Sequence, residues 1–250
     1  MTQCWSRGTA TVMLLGDRCT RECSFCAVAH YPGDGKTDAG EPERVAGTVR
    51  SLGLKYVVLT MVARDDLPDN GAGVIAETIH TLDRECPGTQ VEVLTSDLGG
   101  SPESLKVVLD AHPAVFGHNV ETVRRLTAEV RDRRASYDLS LNVLKMAKTM
   151  ETPANATKSS LMLGLGESRD EVAETLGDLR EAKVDIVTLG QYLKPGGEGF
   201  HKVERYVTPK EFAEFGDVAR SLGFKGVASG PMVRSSYMAE ELCRASAARE

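Results

Sequence analysis

The sequence contains no apolar run approaching the roughly 20 residues that a membrane-spanning helix needs, so no such span is expected. Its first residues, Met1-Thr2-Gln3-Cys4-Trp5, show neither the apolar core of a secretory signal nor an Arg- and Ser-rich transit pattern. Basic charge is not in excess: 30 Lys and Arg stand against 36 Asp and Glu, a net charge of −6. That disfavours a nucleic-acid partner, whose phosphates call for a basic surface. No low-complexity linker and no block of like charge interrupts the chain. These absences predict a cytoplasmic globular protein with no membrane partner. At 41% hydrophobic and 26% charged, its 250 residues can bury a substantial core without disulfide staples.

What is present reads as strand, loop and helix in repeated order. Residues 9–15 (TATVMLL), 55–60 (KYVVLT), 90–95 (QVEVLT), 114–116, 160–163 and 185–189 (DIVTL) are short apolar runs bounded by turns, which suits buried parallel strands. Helix starts lie between them. Ser101-Pro102 is an N-cap followed by proline, and Ser168–Glu171 and Thr208–Glu211 are capping boxes ahead of apolar faces. The alternation predicts a parallel α/β sheet of about six strands, open or closed as a barrel, in one domain spanning 1–250.

Three of the six cysteines fall within eight residues, as Cys19-x3-Cys23-x2-Cys26, directly after the first strand. In a reducing compartment such clustering points to metal rather than disulfides. Three thiolates on one loop can hold three irons of a cubane and leave the fourth open. Structural zinc normally takes four closed ligands. His30, four residues on, offers the alternative of a Cys3His zinc site. Cys86, before Pro87, and Cys243, in a terminal helix, read as buried or incidental thiols.

The triad resembles the signature of the radical S-adenosylmethionine superfamily. More of the chain is similar to the lipoyl synthase family: Gly8–Gly16, Leu54–Leu67, Val93–Asp97 (VLTSD), His118–Val123 (HNVETV), Thr157–Glu167 (TKSSLMLGLGE), Thr188–Pro195 (TLGQYLKP) and Gly230–Ala239 (GPMVRSSYMA) match in the family order. The resemblance implies a partial parallel (β/α)6 barrel with short N- and C-terminal extensions. It implies a [4Fe-4S] cluster on Cys19, Cys23 and Cys26 that binds and cleaves S-adenosylmethionine. The activity implied is insertion of two sulfurs, at C6 and C8, into a protein-bound octanoyl-lysine. The implied partners are octanoylated lipoyl carrier domains (2-oxoacid dehydrogenase E2 subunits, the glycine cleavage H protein) and a small electron donor such as ferredoxin or flavodoxin.

The family also carries an auxiliary [4Fe-4S] cluster that supplies sulfur, held by three N-terminal cysteines (C-x4-C-x5-C) and a serine of an R-S-S-Y motif. Here the resemblance assigns Ser236, with Ser235 in reserve, and Cys4, 15 positions before Cys19. The other two cysteines would precede Met1. The retained serine motif points to a chain shortened at its N-terminus, with 1–8 a remnant of the auxiliary-cluster segment and 230–250 the serine-motif extension. The alternative is a radical enzyme or cluster-binding subunit that donates no sulfur. By resemblance, Phe25 packs near adenine, and Asp65 or Asp66 meets the methionyl amino group. Lys158 meets the carboxylate, Gly164 and Glu167 belong to the glycine motif near adenine, and Arg234 orients the serine loop. Gln191-Tyr192 line the substrate channel. Asn119 and Glu121, an amide and a carboxylate at a strand end, suit ribose hydroxyls and an ammonium. His118 reads as a satisfied core histidine.

Overall fold

In the apolar runs, alternate side chains leave the backbone on opposite faces, and both faces find a core. Val57 and Leu59 pack outward with Val45, Ile75 and Leu105 from helices, while Tyr56 and Val58 pack inward with Val115 and Ile186. The computed structural model describes residues 8–247. Its strands are β1 (Thr9–Leu14), β2 (Arg18–Cys19), β3 (Ala29–His30), β4 (Tyr56–Met61), β5 (Gln90–Leu94), β6 (Val115–Gly117), β7 (Thr157–Leu163), β8 (Ile186–Gln191) and β9 (Gly226–Gly230). Its helices are α1 (Glu41–Leu52), α2 (Ala72–Glu85), α3 (Pro102–Asp110), α4 (Thr127–Val130), α5 (Tyr137–Thr149), α6 (Arg169–Glu181), α7 (Pro209–Ser221) and α8 (Ala239–Ala247). None of the helices is long and apolar enough to cross a membrane.

Seven strands form one sheet in the order β1-β4-β5-β6-β7-β8-β9, every pair parallel, with helices between successive strands. No pairing joins β1 to β9 among the described residues, so the sheet is a partial barrel. All six expected strands are present, and β9 adds a seventh. Its sequence, GVASG, lacks the β-branched character that marks the others. The anticipated caps form: Ser101 accepts from the Ser104 N–H, and both capping boxes close on Glu171 and Glu211.

The inward face at the N-terminal end of the strands is closed by α8, whose Ala239, Leu242 and Cys243 pack with Tyr56, Val115 and Ile186. Burying side chains of this size stabilises by roughly 1.5–3 kcal/mol each. The opposite, C-terminal end stays open, and the loops that leave the strands there carry the polar residues. This is where parallel α/β folds bind ligands.

Candidate functional site

The cysteine loop is tied down by its backbone. β2 and β3 pair Cys19 with His30, and the Tyr31 N–H donates to the Cys19 carbonyl at 2.9 Å. The Thr20 N–H donates to Ala63 O at 3.1 Å and the Ser24 N–H to Val130 O at 2.9 Å, which moors the loop to the ends of β4 and α4. Each sulfur faces a backbone donor: Cys19 Sγ accepts from the Arg21 N–H at 3.4 Å, Cys23 Sγ from the Asp132 N–H at 3.2 Å, and Cys26 Sγ from the Val28 N–H. Burial pushes the Cys23 thiol up to about 11, against the Asp132 donor, and it raises the Cys26 thiol as well, with Cys19 and Glu121 adding repulsion. The three sulfurs are close enough for their charges to interact. Yet no group of three or more His, Cys, Asp or Glu among the described residues converges on a single ion. Three thiols with separate N–H donors fit a cubane, in which each takes its own iron and the protons leave on binding. His30 stands beside Glu22 at 4.0 Å on the outside, so the Cys3His alternative has no geometry to support it.

Arg21 holds the loop from beneath. Its guanidinium donates in a fork to both oxygens of Asp97 at 2.6 Å and, through Nε and Nη2, to Asp65 at 2.7–3.2 Å. Burial opposes its charge, but the two carboxylates win and lift its pKa further above the ordinary arginine value. Asp132 accepts from the Glu22 N–H at 3.0 Å and pairs with Arg134, whose guanidinium also donates to the Thr20 carbonyl.

Above the loop are two adjoining cavities. One, of about 170 Å³, is walled by Cys19, Cys23, Thr60, Ser96, His118 and Arg131 among others. The second, of about 300 Å³, is walled by Ser160, Leu161, Met162, Gly190, Gln191, Tyr192, Val233, Arg234 and Ser235. Phe25, Leu94, Asn119 and Glu121 belong to both walls. The cysteine loop, the Asn119–Glu121 segment and Arg234-Ser235 thus line two adjoining cavities. Glu121 adopts φ +67°, a strained left-handed conformation for a residue with a Cβ, and its backbone bridges to β7. Burial raises its carboxyl, while Arg131 and the Asn119 amide work against that rise. His118 is the core histidine expected. Its Nδ1 meets Thr95 O at 3.0 Å, which fixes the proton there, and its Nε2 meets Ser140 Oγ at 2.8 Å. Burial, with Arg131 nearby, lowers it to about 4.

Several expected contacts sit elsewhere. Asp65 accepts from Thr20 Oγ1 at 2.5 Å as well as from Arg21. Burial alone would raise its carboxyl, and these bonds hold it below the usual range. Asp66 pairs with Arg64 at 2.7 Å and accepts from the Gly35 N–H at 2.9 Å. Both carboxylates brace loops, and neither walls the cavities. Lys158 lies inside β7, with its amine buried and paired to Glu92 at 2.8 Å in the closed half of the barrel. It is removed from the open end. A Cβ on Gly164 would meet Gln191 Nε2 at 2.3 Å and Arg205 O at 2.4 Å, so this glycine admits the chain's own neighbours. Glu167 accepts from the N–H groups of Gly164 and Leu165 at 2.7 and 2.9 Å and fastens that turn. Within the serine motif, Ser235 walls the cavity and Ser236 does not. Cys4 lies outside the described residues.

Arg131 is the functional candidate that the sequence reading missed. It is buried at the wall of the smaller cavity, and its Nη1 donates to Ser140 Oγ at 2.8 Å. The run Arg131-Asp132-Arg133-Arg134 has the composition of a solvated turn. Bonds to Glu22 and Cys23 of the cysteine loop draw Asp132 inside, and bonds to Ser140 Oγ and the Val120 carbonyl draw in Arg131.

The sequence matches the Radical SAM superfamily over residues 13–179. The fold agrees. The structure of HydG, a maturase of the [FeFe]-hydrogenase, aligns over 95% of this chain and 54% of its own, with a TM-score of 0.71 at 16% identity. Methylornithine synthase (PylB) aligns over 92% of this chain and 74% of its own, with a TM-score of 0.64 at 15% identity. The chain is thus a radical S-adenosylmethionine protein by sequence and architecture. It is 60% identical over 96% of its length to the lipoyl synthase of Pyrobaculum aerophilum, of which it covers 82%, and 52% identical over 99% to that of Halalkalibacterium halodurans, of which it covers 81%. It belongs to the lipoyl synthase family.

Proposed function

We propose that the protein is a lipoyl synthase, inserting two sulfurs at C6 and C8 of an octanoyl chain carried on a lysine of a lipoyl carrier domain. The observation that carries this reading is the pair of adjoining cavities that share Phe25, Leu94, Asn119 and Glu121, one walled by Cys19 and Cys23 and the other by Arg234-Ser235, in a chain of this family. Cys19, Cys23 and Cys26 would hold a [4Fe-4S] cluster, with S-adenosylmethionine above it against Phe25, Asn119, Glu121 and Arg131. When bound, the cluster and S-adenosylmethionine supply one-electron chemistry able to take hydrogen from an unactivated C–H bond, which no acid or base on this chain can do.

The chain's own residues supply position and seclusion. The N–H groups of Arg21, Val28 and Asp132 aim at the three sulfurs and stabilise the charged, ligating thiolates. Glu121 offers an acceptor for an ammonium and Asn119 an amide for hydroxyls, while Arg131 gives a carboxylate a cation. Leu94, Leu161, Met162 and Val233 provide an apolar wall along which an eight-carbon chain can lie extended, away from water. Ser235 would be the serine ligand of the family's auxiliary [4Fe-4S] cluster, toward which this sequence offers Cys4 as the one further ligand. Residues 1–250 would act as one radical core, with 230–250 its serine-bearing extension. A ferredoxin or flavodoxin would supply electrons.

The test is peptide-dependent cleavage. Anaerobically reconstituted protein is given reductant and S-adenosylmethionine, with and without an octanoyl-lysyl peptide, and 5′-deoxyadenosine is measured. The proposal expects the octanoyl peptide to stimulate its formation and each of Cys19→Ala, Cys23→Ala and Cys26→Ala to abolish it. Cleavage indifferent to the octanoyl group would refute the substrate, and undiminished cleavage by a cysteine variant would refute the ligand set.

A further inference from the structure

Gly190 occupies an inward position of β8, opposite Met162 of β7 and Gly230 of β9. A Cβ built on it would lie 2.1 Å from the carbonyl oxygen of Val233 and 3.0 Å from its carbonyl carbon. The obstruction is main chain, so no rotamer change relieves it. The same segment is fastened beside this contact: the Gln191 N–H donates to Pro231 O at 3.4 Å and the Val233 N–H to Gly230 O at 3.1 Å. Its other end is equally fixed. Residues 234–237 close a turn, Tyr237 N–H to Arg234 O at 2.9 Å, and run directly into α8. That helix buries Ala239, Leu242 and Cys243 in the barrel, where the Cys243 thiol also meets the Tyr56 hydroxyl. The loop carrying Arg234 and Ser235 is thus pinned between a glycine seat and a buried plug.

We infer that Gly190 is a positioning residue for the serine motif: its missing side chain sets how deeply Val233, Arg234 and Ser235 reach into the cavity shared with the cysteine loop. Moving Val233 O from 2.1 Å to an ordinary contact of 3.4 Å displaces the loop by more than 1 Å. Because α8 is anchored, the displacement falls on residues 231–238. Errors of about 1 Å in placing reacting groups cost on the order of 100-fold in rate. A displaced Ser235 therefore affects sulfur delivery, while the cysteine triad, mooring itself to β4 and α4, is untouched.

The inference rests on the lipoyl synthase reading for its chemistry but not for its geometry, and the experiment separates the two. Gly190→Ala is compared with the unsubstituted protein by amide hydrogen exchange and, with a C-x4-C segment supplied ahead of Cys4 in both, by reaction with an octanoyl-lysyl peptide. Expected are exchange at least about 10-fold faster at the amides of Val233 and Tyr237 and unchanged exchange in the cysteine loop. Also expected is a ratio of lipoyl product to 5′-deoxyadenosine lowered by about 10- to 100-fold, with 5′-deoxyadenosine formation in the absence of the peptide retained. Pro231→Gly, which loosens the same loop without inserting an atom into the sheet, is expected to shift the ratio in the same direction. It carries the test if the alanine variant does not fold. Unchanged exchange at 231–238 would overturn the inference whatever the enzyme makes. Faster exchange there with an unaltered product ratio would overturn the positioning role. Faster exchange with no sulfur product from either protein would refute the functional reading and leave the seat established.

Discussion

Arg21 is the residue whose removal should most clearly expose how the cysteine loop is held. Its side chain is 7% exposed and that of Asp97 0%, so replacing Arg21 with Met leaves a carboxylate in the interior with one remaining donor, the Gly99 N–H at 3.0 Å. Breaking one partner of a buried, hydrogen-bonded ion pair costs about 3–5 kcal/mol. A loss of about 4 kcal/mol, at a urea dependence of about 3 kcal/mol per M for a chain of this size, moves the unfolding midpoint down by about 1.3 M. The loss should depend on pH. In the native protein burial pushes the Asp97 carboxyl up, and Arg21 outweighs it and holds it below the ordinary value. That pair contributes stability above the unfolded value of about 3.9 and loses it as pH falls through the lower folded value. Without Arg21 only the Gly99 N–H and the nearby His118 oppose burial, and the folded value is expected to rise above the unfolded one. The variant is then most penalised near pH 7.5, and its deficit shrinks as the solution is acidified toward pH 5 and Asp97 takes a proton. Urea unfolding of the metal-free, reduced protein, followed by far-ultraviolet circular dichroism at both pH values, reads this directly. A midpoint shift under about 0.3 M, the size expected of an exposed pair, would refute the reasoning. So would a shift equal at the two pH values.

Lys158→Met should cost a similar 3–5 kcal/mol in the same urea assay, by leaving the buried Glu92 carboxylate with the Tyr56 hydroxyl but no cation, whereas Lys158→Met with Glu92→Leu should recover most of it. The KM for S-adenosylmethionine should be unchanged in the double variant; a rise of 10-fold or more would restore Lys158 to the binding site. Glu121→Gln should raise that KM by about 10- to 100-fold, the worth of a hydrogen bond between charged groups, as measured by 5′-deoxyadenosine formation at varied S-adenosylmethionine. An unaltered KM would remove Glu121 from the ammonium. Ser235→Ala should lower lipoyl product at least about 10-fold while 5′-deoxyadenosine formation persists, and Ser236→Ala should not; the reverse order would return the ligand role to Ser236.

The strands were legible where their residues are β-branched, as in YVVLTM and IVTLGQ, because that chemistry serves the sheet itself. β9 was not, because GVASG is small for a tertiary reason. A Cβ on Gly226 would press on Ile186 and on the Leu242 carbonyl of α8 at 3.1–3.3 Å, a helix that no local pattern places inside the barrel. Of the residues expected at the site, Cys19 and Cys23, chosen by spacing, and Asn119 and Glu121, chosen by their place after a strand, line the cavities. Asp65, Lys158 and Glu167 meet protein partners in the structure, which the sequence could not announce for the first two, because a polar side chain near a strand end looks the same whether it faces a ligand or a neighbour. Their partners Arg21 and Glu92 lie 44 and 66 residues away, and only the folded chain brings them together. Glu167 is the exception. Its partners are two and three residues back, and a carboxylate that close to a Gly-x-Gly turn is a local signal for a turn brace.

The central claim is that one cleft couples radical generation at the cysteine triad to sulfur delivery at the serine motif. The most direct measurement is mass spectrometry of an octanoyl-lysyl peptide after anaerobic reaction with reconstituted protein, reductant and S-adenosylmethionine. The account predicts 5′-deoxyadenosine formation stimulated by the octanoyl peptide, and, once a C-x4-C segment is supplied ahead of Cys4, a lipoyl-lysyl peptide with two sulfurs formed with two 5′-deoxyadenosines. With that segment supplied, robust 5′-deoxyadenosine formation with a peptide that loses hydrogen but gains no sulfur would contradict it.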